Sequence, residues 1–247
     1  MSLKTRFFRA KRTVQEHLKS RLEVTASIGL KTLSQIKIWA SCDGVRHLNA
    51  RKDLFETMIP KGRVGAELGV HKGGLSRWIL RHNRPKELHL IDPWWNQPFE
   101  NWAWSTGDQS PASSGAAIIH AFSDEIQRGD VRIHAGYDTD VLARFPDEYF
   151  DWVYLDTTHK YEDTREEMAL LLRKVKEKGV IAGDDWYENE SHSHHGVCRA
   201  VREVLSQDPT VSLAYCKNHQ WALTRTPEVR PKGETSSSTN ERPLQVA

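Results

Sequence analysis

Five carboxylates and one histidine carry most of the chemistry that this sequence offers. Glu67 sits inside Gly65-Ala66-Glu67-Leu68-Gly69, with Gly73 and Gly74 close behind, a crowding of glycines that fits a tight turn and the close approach of a ligand to the backbone. Asp92 closes the apolar run Leu88-His89-Leu90-Ile91, and a carboxylate at the end of a second strand can take a ribose diol. Asp156 closes Phe150–Leu155, and Asp184-Asp185 close Val180–Gly183. On neighbouring parallel strands these last three acids converge and repel one another. A divalent cation relieves that repulsion, and all-oxygen ligation favours Mg²⁺ over a softer metal. Without a metal, Asp184 and Asp185 are expected to hydrogen-bond the adjoining loops. His159, just after Asp156, and Asp156 itself are the two candidates for taking a proton from a hydroxyl. His159 equally suits a loop histidine held by its neighbours.

These side chains need strand tips, and the apolar pattern supplies them. Val64–Leu68 reads as a short buried strand, Leu75, Trp78 and Ile79 as the stripe of a helix, and Glu87–Ile91 as a second strand. The spacing Gly65-x-Glu67-x-Gly69-x-x-x-Gly73 differs from the Gly-x-Gly-x-x-Gly of dinucleotide sites. An acid within the turn repels a pyrophosphate and suits a ligand that carries an ammonium group. This disfavours the rival reading, a nicotinamide-dependent oxidoreductase. Farther on, the pattern predicts a helix over 115–128, a strand at Val131–Ala135 and a helix with Val141, Leu142 and Phe145. A fourth strand over Phe150–Asp156, a helix through Met168, Leu171, Leu172 and Val175, and a fifth strand over Lys178–Gly183 follow. A helix with Val197, Ala200, Val201, Val204 and Leu205 precedes a hairpin of Val211–Tyr215 and Gln220–Thr224.

Glu67-Leu68-Gly69-Val70-His71-Lys72-Gly73, followed by a strand that ends in Asp92, resembles the first motif of the class I S-adenosylmethionine-dependent methyltransferases. Leu155-Asp156-Thr157-Thr158-His159-Lys160-Tyr161-Glu162 is similar to the Ile-Asp-Gly-Asp-His-Ser-Tyr-Glu pattern of small bacterial methyltransferases, with Thr157-Thr158 in place of Gly-Asp. The positions of Asp156, Asp184 and Asp185 resemble the metal ligands of catechol-type and sugar-type O-methyltransferases. The resemblance spans Gly62 to about Arg225. It implies an α/β three-layer sandwich with a Rossmann-like, mostly parallel seven-stranded sheet whose last strand is antiparallel. It also implies S-adenosylmethionine held by Glu67, Gly69, Gly73, Asp92, Tyr137 and Asp138, the last two at the adenine; Asp138 alternatively caps its helix. The implied reaction is O-methylation of a small molecule or a glycosyl hydroxyl, with Mg²⁺ on two vicinal hydroxyls. A methyltransferase-like binding protein without activity is the non-enzymatic rival.

Composition frames the rest. Residues 1–60 hold 12 Lys/Arg against 5 Asp/Glu, while the whole chain is only +2. The basic front reads as a helical extension that covers the substrate mouth, makes a homodimer contact or packs on the flank. No long run of like charge points to nucleic acid. Three unpaired cysteines and the lack of a long apolar run lead to the expectation of a cytoplasmic protein with no membrane span. Trp94, Trp95, Trp102 and Trp104, set among prolines, fit an aromatic loop that touches substrate, packs on itself or forms an interface. Trp186 and the His192-Ser193-His194-His195 run belong to a second loop, where His194 or His195 serves the acceptor, binds zinc or lies on plain surface; no Cys partner supports zinc. The expected division is thus an extension over 1–60, the catalytic domain over 61–225 and a disordered tail over 226–247, rich in Ser, Thr and Pro.

Overall fold

The computed structural model describes residues 42–95 and 111–226. The helices expected over 3–40, the loop stretch with Trp102 and Trp104, and the tail beyond Thr226 lie outside the described residues. The elements in chain order are α1 (Cys42–Met58), β1 (Val64–Leu68), α2 (Gly74–His82), β2 (Glu87–Asp92), α3 (Pro111–Ala121), α4 (Ser123–Arg128), β3 (Val131–Ala135), α5 (Asp138–Leu142), β4 (Phe150–Leu155), α6 (Tyr161–Lys174), β5 (Val175–Gly183), α7 (His195–Gln207), β6 (Val211–Lys217) and β7 (Gln220–Arg225).

The strands form one sheet in the order β3-β2-β1-β4-β5-β7-β6. All pairs from β3 to β5 are parallel, and β7 is antiparallel to both of its neighbours. The architecture is the expected three-layer α/β sandwich. One face of the sheet packs Leu54 and Phe55 of α1 and Leu75 and Ile79 of α2 onto Leu88, Leu90, Trp152 and Tyr154. The other packs Met168 and Leu171 of α6 and Val197, Cys198 and Val201 of α7 onto Ala66, Leu68, Val153 and Ile181. Both faces being covered, the central strands are almost wholly apolar, as parallel strands must be.

Register brings the strand tips into line. Leu68 pairs with Ile91 and with Leu155, and Leu155 pairs with Gly183. The bonds then run one residue past the strands: Gly69 N–H donates to Ile91, Asp156 N–H to Leu68 and Asp184 N–H to Leu155. Gly69, Asp92, Asp156 and Asp184 therefore share one edge, the C-terminal edge where an open α/β sheet binds ligands.

Three boundaries differ from expectation. The helix over 115–128 is two helices, broken at Phe122, whose ring is buried in the core. The fifth strand starts at Val175, which pairs with Phe150; Lys176 to Gly179 bulge out of the ladder before Val180 pairs with Trp152. The helix leading into β1, expected over Leu54–Met58, runs from Cys42, and its C-terminal half packs into the core. Among the described residues, no helix is long and apolar enough to cross a membrane.

Candidate active site

The first half of the site is the turn between β1 and α2. Gly69 has φ +81°, and a Cβ there would lie 1.8 Å from the Asp156 carbonyl oxygen. Only glycine fits both constraints, so the turn passes hard against the β4 tip. Gly73, at φ +68°, stands before the first residue of α2. The N–H groups of Val70 and His71 both donate to Asp92 Oδ2, at 2.9 Å. Asp92 Oδ1 is buried with no hydrogen-bond partner among the described residues. Burial raises the Asp92 pKa to about 6 against those two backbone donors. Glu67 is 2% exposed and accepts from the Ser76 hydroxyl of α2 at 2.6 Å. Burial raises its pKa to about 8, outweighing the Ser76 bond and the charge of Arg51. A buried, unsatisfied carboxylate oxygen beside a backbone cradle fits a ligand that offers hydroxyl or ammonium donors.

The expected adenine contacts stand at the tip of β3. Tyr137 is 45% exposed, and Asp138 Oδ1 accepts from the Thr139 N–H within the first turn of α5, whose N-cap is Tyr137 with no side-chain cap bond. Trp94 is buried, donates its Nε1–H to the His71 carbonyl at 3.0 Å and lies against Gly115 of α3. It therefore buttresses the Gly-rich turn. Trp95 is half exposed and meets it edge to face.

The second half lies at the tips of β4 and β5. Arg51 of α1 reaches it: Nη2 is 2.6 Å from both Asp156 Oδ2 and Asp184 Oδ2, and Nε is 3.0 Å from the latter. Asp184 Oδ1 accepts from the Asp185 N–H and from Gln220 Nε2. Burial pushes the Asp184 pKa up against the pull of Arg51. His159 Nε2 lies 2.8 Å from Asp185 Oδ2 and 3.2 Å from Asp156 Oδ1. His194 Nδ1 lies 2.8 Å from Asp185 Oδ1, and the two imidazoles stack at 4.3 Å. Burial alone would lower His159, but hydrogen bonds and charge from Asp156 and Asp185 overcome it and raise its pKa to about 10. Burial likewise works to raise Asp185, yet the two histidines hold it well below the ordinary carboxylate range. Between two carboxylates, His159 is held in its protonated form at neutral pH.

His195 bonds the Tyr187 carbonyl at the start of α7, and Trp186 is 6% exposed within the core.

The acids Asp156, Asp184 and Asp185 could by distance surround one ion, as could His159, Asp185 and His194. The donor set, however, is already engaged. Each of the six carboxylate oxygens has a protein nitrogen within 3.2 Å. Mg²⁺ demands oxygens at about 2.0–2.1 Å in an octahedron, and the Arg51 guanidinium occupies the space between two of the three acids. The residues as arranged do not fit that ion. Arg51, Ser76 and Gln220 are the contributors that the sequence reading missed; Arg51 lies 105 and 133 residues from its partners, with no local pattern to mark it.

A glycine turn facing an acid at the second strand tip, on a sheet of this order, defines an S-adenosylmethionine-binding class I methyltransferase fold. Residues 66–186 match a family described as a methyltransferase domain, consistent with a class I S-adenosylmethionine-dependent methyltransferase. Among solved structures, an S-adenosylmethionine-dependent methyltransferase from Aquifex aeolicus aligns over 77% of this chain and 95% of its own, at 14% identity and TM-score 0.51. A provisionally described rRNA methylase from Clostridium thermocellum aligns over 73% of this chain and 96% of its own, at 11% identity and TM-score 0.51. A provisionally described sarcosine dimethylglycine methyltransferase from Galdieria sulphuraria aligns over 57% of this chain at 14% identity and TM-score 0.41, and this chain spans 45% of its length. At these identities the structural likenesses speak for the fold alone. No curated protein matches the chain.

Proposed function

We propose that the chain methylates an oxygen of a small hydroxylated acceptor, a small molecule or a glycosyl group. S-adenosylmethionine supplies a methyl on a sulfonium; transfer forms an O–C bond, breaks the S–C bond, releases S-adenosylhomocysteine and leaves the acceptor's proton for the protein to take.

The observation that carries the reading is Asp156. Its side chain is 19% exposed at the mouth of the sheet, one strand from the Gly69 turn, and its two oxygens face Arg51 and His159. Asp156 takes the acceptor's proton, because His159 already holds one. The His159 imidazolium steadies the charge that develops on the acceptor oxygen and is itself oriented by Asp185. Glu67 and Asp92 hold the cofactor's ammonium and ribose, with Tyr137 and Asp138 beside the adenine; Trp95, His194 and His195 border the acceptor. Magnesium on Asp156, Asp184 and Asp185 is the reading of these acids that the geometry supports less.

Incubation with S-adenosylmethionine and a panel of hydroxylated acceptors, read by mass gain of one methyl, tests the reaction. Asp156→Asn is expected to lower turnover by about 10²–10⁴-fold with S-adenosylhomocysteine affinity retained on calorimetry. Undiminished turnover in that variant overturns the role given to Asp156.

A further inference from the structure

The geometry points to Arg51 as the resident cation of the acceptor pocket, a positioning residue whose guanidinium holds Asp156 and Asp184 together and makes a divalent ion unnecessary. The inference rests on the methyltransferase reading of the pocket and goes beyond it, to how three converging acids are kept in place.

Three observations support it. The guanidinium meets Asp184 through two nitrogens and Asp156 through one, at 2.6–3.0 Å, a fork that a planar group can make and a point charge cannot. The helix that delivers it is anchored. Leu54 and Phe55, three and four residues on and so on the same face of α1, are 0% and 1% exposed. Phe55 stands edge to face with Trp152 at 5.6 Å and packs on Tyr154 at 5.3 Å. Asp53 adds a second tie, accepting from Tyr215 Oη and Lys217 Nζ of β6. Arg51 thus arrives on a fixed strut. Finally, the charges are matched locally. Arg51 lies against Asp156 and Asp184, and His159 against Asp156 and Asp185. Every oxygen that an ion would need is already bonded.

Titration of Mn²⁺, which shares the oxygen preference of Mg²⁺, into the full-length chain decides the matter, with bound ion read by electron paramagnetic resonance. Wild type is expected to bind no Mn²⁺ at submillimolar concentration, and its melting temperature should not move with the ion. Arg51→Ala, which uncovers the acids, is expected to take up one Mn²⁺ per chain and to melt higher in its presence. Arg51→Lys should bind the ion at least tenfold more weakly than Arg51→Ala. If wild type binds one Mn²⁺ per chain and Asp184→Asn abolishes it, Arg51 is a displaceable counter-ion and the inference fails. It fails also if Arg51→Ala folds and gains no site; should that variant not fold, the wild-type titration alone decides. S-adenosylhomocysteine calorimetry on the same wild-type sample keeps the two readings apart, since loss of that binding sinks the methyltransferase reading whatever the Mn²⁺ result.

Discussion

The tips of β1 and β2 and the tips of β4 and β5 hold carboxylates in different company. Among the described residues, Glu67 and Asp92 are buried with no cation in direct contact; burial raises both pKa values, to about 8 and about 6, and one Asp92 oxygen has no partner there. Asp156, Asp184 and Asp185 sit among Arg51, His159 and His194, with donors on every oxygen. Desolvated acids without partners are costly to hold ionised. The first pair therefore stands ready for a ligand that brings its own donors and positive charge. The second trio is complete within the chain, and its acids contribute to the fold before any ligand arrives.

The sharpest way to break this contrast is to delete one acid from each half and measure melting. Asp184→Ala strands the buried side of Arg51 and removes the acceptor of the Asp185 N–H and of Gln220. Breaking a buried pair in this way costs about 3 kcal/mol, a fall of roughly 6–12 °C in melting temperature for a domain of this size. Asp92→Asn keeps an oxygen for the Val70 and His71 N–H groups and should shift melting by under about 2 °C. Equal losses in both variants would erase the distinction between the halves.

The same Asp92→Asn protein should pay in the cofactor site instead. A hydrogen bond to a charged group contributes about 1.5–3 kcal/mol, so S-adenosylhomocysteine should bind roughly 10–100-fold more weakly by calorimetry. Unchanged affinity would mean that the unpaired oxygen does not face the ribose.

The two halves also differ in how far they were legible. Apolar runs ending in Glu67-Leu68-Gly69, Asp92, Asp156 and Asp184-Asp185 gave away the strand tips, since a parallel strand is buried along its length and its first polar residue marks the edge. Glycine spacing separated this turn from a dinucleotide site. What compensates the acids was hidden, because Arg51 lies in a helix of mixed charge, Arg51-Lys52-Asp53 followed by Glu56, that reads as a solvated face. Its inward direction follows from Leu54 and Phe55 being core, and only the folded sheet brings Asp156 and Asp184 to meet it. The protonation of His159 was hidden for the same reason: its second carboxylate, Asp185, comes from another strand. Trp94 read as part of an aromatic loop, yet its indole N–H is needed at the His71 carbonyl, a bond that no periodicity announces.

The finest test of the contrast is the pH dependence of cofactor affinity. Glu67 is protonated in the free protein below about pH 8. If the cofactor's ammonium comes to rest beside it, the positive charge favours the ionised carboxylate, so binding expels a proton. Affinity must then rise with pH while Glu67 is protonated in the free state, by roughly tenfold between pH 6 and 7, where an amine of ordinary pKa stays charged. Asp92, whose pKa is near 6, steepens the lower part of that slope. Calorimetry in two buffers of different ionisation enthalpy counts the released protons directly. Asp185, held well below the ordinary carboxylate range by His159 and His194, should add nothing to the count. A flat affinity across that unit, with no proton released, would put the ammonium elsewhere and leave Glu67 to its bond with Ser76.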